Sequence, residues 1–96
     1  MTNSTRSAPE LSRQVIIVNE LGLHARSAAK IAELAQNSKA AVWVKKGAEK
    51  ADASSIVDIL TLACGKGSKI TLIIKDKADR QILEDIANLI ESGFGE

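Results

Sequence analysis

Ninety-six residues, 45% hydrophobic and 26% charged, suit one domain with a single core and are too few for two. Thirteen basic against twelve acidic residues leave a formal net charge of +1, which argues against a nucleic-acid backbone or an anionic membrane surface as partner. Two aromatics, Trp43 and Phe94, offer no stacking platform for single-stranded bases.

Residues 1 to 12, rich in Ser, Thr and Asn with one Pro, read as a flexible tail ahead of one domain over 13–96. The tail lacks the apolar stretch of a signal peptide and no segment is long enough to span a bilayer, so a cytoplasmic chain without membrane insertion is expected. Its lone cysteine, Cys64, fits a reducing compartment and reads as a small buried thiol. The first strand is expected in the β-branched run from Arg13 to Val18, followed by turn residues in NELG. Ala28, Ile31, Ala32 and Ala35 then recur at helical spacing and predict an amphipathic helix over Ala25 to Gln36. AAVWVKK is a second strand, with Val42 and Val44 on one face and Trp43 on the other, and Gly47 turns it into a short third.

Ile56, Ile59, Leu60 and Ala63 predict a second helix that Gly65 and Gly67 stop. Ser55 is its expected N-cap, in an order that resembles a capping box with Asp58 in the usual place of Glu or Gln. Lys69 to Ile74 is a fourth strand, and Ile82, Leu83, Ile86, Leu89 and Ile90 mark a third helix opened near Asp76 and closed near Gly93. The order is βαββαβα. An α+β fold follows, a four-stranded, mostly antiparallel sheet with three helices on one face and Trp43 on the open one.

One stretch resists a purely structural reading. GLHARSAAK, residues 22 to 30, places the chain's one histidine, His24, at the start of the first helix, with Arg26 two positions on. A lone loop histidine is usually a solvated side chain. Here the unpaired N–H groups of a helix start and the guanidinium fork of Arg26 favour an anion such as phosphate beside the imidazole. An imidazole at a phosphate site suggests a nucleophile that becomes phosphorylated. No residue is seen to orient it as the third member of a triad would. One His and one Cys are too few for an ordinary metal site, and neither a metal nor a cofactor is expected. A carrier needs only an exposed nitrogen, modest stabilisation of the phosphoryl group and a docking surface, with catalysis supplied by its partners.

GLHAR followed by small residues, together with SSIVDIL some thirty residues on and the βαββαβα order, resembles the HPr family of histidine-containing phosphocarriers of the bacterial phosphoenolpyruvate-dependent phosphotransferase system. The resemblance covers residues 13 to about 92. It implies an open-faced β-sandwich, phosphorylation of His24 at Nδ1, and Arg26 as the residue that steadies the phosphoryl group. It implies Enzyme I as donor and a IIA-type protein or domain as acceptor, for a chain that works as a monomer. Docking maps to Leu23, Ala25, Ser27, Ile56, Val57 and Leu60, with Ile59 expected in the core and Val57 at the surface. Ser55 falls where many members carry a serine phosphorylated by a dedicated HPr kinase/phosphorylase.

The chain departs from the family pattern in having Ser27 where proline usually follows the arginine, and Glu33, Gln36 and Ser54 where basic residues are frequent. Stability alone favours proline at position 27, provided the backbone N–H of Ser27 is not needed. Two other readings stay open. One is a regulatory paralogue of a nitrogen-related phosphotransferase branch, and the other a non-catalytic ligand-binding α+β module.

Overall fold

A computed structural model describes residues 11–96. Most of the expected tail lies outside these residues. Within them, Leu11 packs against the edge of the core and Ser12 already begins the first strand. The elements in chain order are β1 (Ser12–Ile16), α1 (Ala25–Ala35), β2 (Val42–Lys46), β3 (Glu49–Asp52), α2 (Ile56–Leu60), β4 (Lys69–Ile74) and α3 (Arg80–Glu91), with short 3₁₀ turns at Lys77–Asp79 and Gly93–Gly95.

Period-two alternation decides which face of the sheet is covered. Val15, Val42, Val44, Ala51, Ile70, Leu72 and Ile74 all point to one side and are buried, as successive side chains on a strand must alternate. The strands run in the order β1-β4-β2-β3, antiparallel throughout. Trp43, opposite Ile73 on one neighbour and Asp52 on the other, takes the open face, where the Lys50 ammonium sits 4.4 Å above its ring. The fold is the expected α+β open-faced sandwich.

The helices supply the other half of the core. Ala28, Ile31, Ala32 and Ala35 form the buried stripe of α1, and Leu83, Ile86, Ala87 and Ile90 that of α3. Small residues on α1 let it approach its neighbours closely. α2 ends at Leu60, earlier than its apolar spacing implies, because Ala63 turns the chain with φ of 51° before either glycine is reached. A non-glycine residue in this left-handed region is uncommon.

Among the described residues Asp79 is the buried acidic one. Its two carboxylate oxygens accept from the N–H groups of Lys39 at 2.8 Å and Ala40 at 3.0 Å, pinning the α1–β2 connection to the start of α3. Arg13, on the edge strand β1, pairs with Glu84 and Glu91 of α3.

Candidate functional site

The loop before α1 is fixed by close backbone packing against the loop between α2 and β4. Gly67 donates to the Ile17 carbonyl at 2.7 Å, Ile17 to Ser68 at 2.9 Å and Leu23 to Cys64 at 2.8 Å. A tight turn, closed by the Gly22 N–H on the Asn19 carbonyl at 3.1 Å, brings Gly22 directly over this second loop. Gly22 has φ of +66°, and a Cβ there would lie 2.4 Å from the Cys64 carbonyl oxygen and 2.7 Å from the Gly65 Cα. Both the backbone angle and the contact require glycine. The exposed Lys66–Glu20 ion pair joins the same two loops and holds the Glu20 carboxyl below its ordinary range.

The chain leaves this clamp at Leu23 and enters α1 through His24, whose extended backbone makes it the N-cap. The His24 carbonyl accepts the first helical bond, from Ala28 at 2.8 Å. The imidazole lies about one-third exposed, with Nε2 2.9 Å from a Glu96 carboxylate oxygen. Ser27 receives the His24 backbone N–H on its hydroxyl at 2.9 Å. The same hydroxyl lies 3.1 Å from the Gly22 carbonyl and 3.2 Å from the His24 carbonyl, either of which can take its proton. Ser27 therefore ties the glycine turn to the helix.

Glu96 reaches His24 because the segment after α3 folds back across the start of α1. Phe94 is buried with φ of 60°, the flanking Gly93 and Gly95 also take positive φ, and the Lys30 ammonium donates to the Phe94 carbonyl at 2.8 Å. The second Glu96 oxygen accepts from the Asn19 amide at 3.0 Å, and that amide also donates to the Gly22 carbonyl at 2.9 Å. Hydrogen bonds from His24 and Asn19, in that order, hold the Glu96 carboxyl below its ordinary range. The imidazole thus has an orienting carboxylate, contrary to the sequence reading. The contact spans 72 positions, and a glutamate two residues beyond an apolar phenylalanine carries no local signal of it.

Arg26 is exposed on the first turn of α1, beside the exposed Ala25, and has no hydrogen-bond or ion-pair partner among the described residues. Ser55 caps α2 as expected, its hydroxyl accepting the Asp58 N–H at 3.1 Å. The capping box is not completed in the expected way. The Asp58 carboxylate takes the N–H of Asp52 at 2.7 Å, and the Ser55 N–H goes to the Asp52 carbonyl at 3.1 Å. Asp58 is one atom shorter than the usual Glu and binds the end of β3 instead.

Of the positions expected to face a partner, Ile56, Val57 and Leu60 are exposed at 38%, 74% and 37%; Ile59, expected in the core, is fully buried. Leu23 and Ser27 are corrections: both are buried, Leu23 beneath its bond to the second loop and Ser27 because it lies four residues before Ile31 on the core stripe of α1. Leu21, exposed at 70% on the turn before His24, is apolar surface that its turn context hid. A shallow cavity of about 560 Å³ on the open face, lined among others by Gln14, Lys45, Lys69, Thr71 and Ile73, shares no residue with the His24 loop.

Residues 11–92 match the family model described as PTS HPr component phosphorylation site. The phosphocarrier protein NPr of Shewanella violacea is 41% identical over 87 residues, 91% of this chain and 96% of that protein. The phosphocarrier protein HPr of Cupriavidus necator is 37% identical over 86 residues, 90% of this chain and 97% of its own. Among solved structures, HPr-C-His from Thermoanaerobacter tengcongensis superposes with a TM-score of 0.80 at 34% identity, covering 88% of this chain and 96% of that one.

Proposed function

The chain belongs to the HPr family and is a phosphoryl carrier of the phosphotransferase system, and from that premise we propose that the group it carries rides on Nδ1 of His24. The observation that supports this reading most directly is the imidazole at the N-cap of α1, with Nε2 engaged by Glu96, so that Nδ1 is the nitrogen whose lone pair can form a new bond. Unpaired N–H groups at the helix start and the unpartnered Arg26 guanidinium supply donors for a phosphoryl group. Catalysis comes from the partners: Enzyme I delivers the group, and a IIA-type protein or domain removes it. Ala25, Ile56, Val57 and Leu60 form the docking ground. A phosphate on Ser55, written by a dedicated kinase, would set about two negative charges beside Ile56 and Val57 and oppose docking. The carrier works in the cytoplasm as a monomer. Among the described residues no helix is long and apolar enough to cross a membrane.

Incubation with phosphoenolpyruvate and Enzyme I, followed by mass spectrometry, tests the assignment. One phosphoryl group, acid-labile and alkali-stable, is expected on the wild type and none on His24→Ala. A modification that survives in His24→Ala would place the carrier site elsewhere. Arg26→Ala should fold normally and pass the group more slowly, since a charged hydrogen bond to phosphate contributes about 1.5–3 kcal/mol.

The match to an NPr protein favours one second reading, service in a nitrogen-related branch. Comparing the rates at which Enzyme I from a sugar branch and its nitrogen-branch counterpart phosphorylate this chain would separate the two.

A further inference from the structure

We propose that Glu96, held by Asn19, is a positioning residue for phosphoryl transfer at His24: its carboxylate fixes the imidazole with the proton on Nε2 and faces the positive charge that the ring gains as Nδ1 is phosphorylated. The proposal rests on His24 being the acceptor, and it explains which nitrogen reacts and what answers the charge that forms.

The geometry carries the argument. An ionised carboxylate is only an acceptor, so a Glu96 oxygen 2.9 Å from Nε2 requires that nitrogen to bear the hydrogen. In a neutral imidazole the other nitrogen then holds the lone pair. Glu96 is itself constrained. The Asn19 amide bonds its second oxygen, and the chain just before it is anchored by the buried Phe94 and by the Lys30 ammonium on the Phe94 carbonyl. Asn19 in turn bonds Gly22, so the group that orients the ring is joined to the loop that places it.

During transfer the Nδ1 lone pair forms a bond to phosphorus, and the bond from phosphorus to the donor breaks, its electron pair remaining on the donor. The Nε2 proton stays in place. The ring therefore acquires one positive charge, directed at a carboxylate that needs no rearrangement to meet it. A carboxylate behind a reacting imidazole performs the same two tasks, tautomer control and stabilisation of the imidazolium, in hydrolase triads. Passing the group on reverses each step, so the pair favours neither direction by itself.

The test compares wild type, Glu96→Ala and Glu96→Gln in the full chain, using ¹⁵N NMR of the His24 ring in the unphosphorylated proteins and single-turnover phosphorylation by Enzyme I. In the wild type Nε2 should carry the proton and Nδ1 none. In Glu96→Ala the two nitrogen resonances should move toward each other as the tautomers mix. Its saturating transfer rate should fall about tenfold, the lower end of what loss of a group orienting a functional histidine typically costs, with apparent affinity for Enzyme I unchanged. Glu96→Gln, whose amide oxygen can still accept from Nε2, should keep the wild-type resonances and yet transfer slowly, because it lacks the charge.

Unchanged resonances and rate in Glu96→Ala would overturn the proposal. Faster transfer in that variant would do so too, making the folded-back segment an obstruction. If the wild type takes no phosphoryl group on His24, the acceptor assignment itself fails. That outcome differs from one in which all three proteins are modified equally, which defeats only the role of Glu96.

Discussion

The starts of α1 and α2 solve the same problem in different ways. Both N-caps, His24 and Ser55, have extended backbones, and both helices leave N–H groups that need partners. Ser55 uses its own hydroxyl for the purpose. At His24 the supports come from neighbours: Ser27 takes its N–H, Gly22 sets the approach, and Glu96 engages the ring. The cap proposed to carry the phosphoryl group is held by its neighbours, and the cap whose hydroxyl takes a helix N–H holds itself. Disturbing the supports of His24 should therefore cost more than disturbing Ser55.

Gly22→Ala is the sharpest way to break that comparison. The new Cβ would fall 2.4 Å from a backbone oxygen that is itself bonded to Leu23, and the left-handed backbone adds strain of about 1–3 kcal/mol. A loss of at least about 2 kcal/mol in chemical denaturation is expected, with amide shifts concentrated at Leu23, His24 and Cys64. A loss below about 0.5 kcal/mol, the range of ordinary surface changes, would show that the two loops yield easily and that glycine is not what sets the site.

Ser27 comes next. Removing its buried hydroxyl strands the His24 N–H, so Ser27→Ala should destabilise by about 1–3 kcal/mol. Ser27→Pro should also destabilise, reversing the sequence-based expectation that proline would stabilise. That expectation set its condition on the backbone N–H of Ser27 alone, whereas proline would also remove the hydroxyl that accepts the His24 N–H. If Ser27→Pro melts higher than wild type, the loop has another acceptor for the stranded donor. Ser55→Ala should cost less, about 1 kcal/mol, and Ser55→Asp should restore the cap while weakening docking of Enzyme I, as read by titration.

What could be seen in the sequence follows from the range over which each feature acts. The covered face of the sheet was visible in Val42-Trp43-Val44 and in the alternation of KITLII, because a strand's pleat imposes period two on its nearest neighbours. The stripe of α3 and the placing of His24 at a helix start are equally local. Ser27 lay within reach: it continues the stripe of Ile31 and Ala35 back by one turn, a spacing that places it inside. The early end of α2 did not, since a left-handed alanine at 63 contradicts the preference that glycine at 65 expresses. Asp79 could not be read as buried in a polar run, because its partners are backbone N–H groups some forty residues away. Glu96 is the same case at longer range. Side chains that serve a distant backbone or ring leave no periodicity behind them.

The smallest expected effect is the pH dependence of the two caps. Glu96 is held below its ordinary range by His24 and Asn19, so the folded chain binds that proton less readily than the unfolded chain does. Its contribution to stability is therefore fully present above the unfolded glutamate value of about 4.3 and is lost as pH falls through the lower folded value. The Ser55 cap bond has no titratable member. Wild type should thus melt slightly above Glu96→Gln near neutral pH, and the gap should close below about pH 4. The gap between wild type and Ser55→Ala should stay nearly flat from about pH 7 to 5, where model carboxylates remain mostly ionised. A Glu96→Gln gap that persists unchanged into acid would mean that the difference does not come from the ionisation of Glu96. The charge of Glu96 would then matter only when the ring itself is charged.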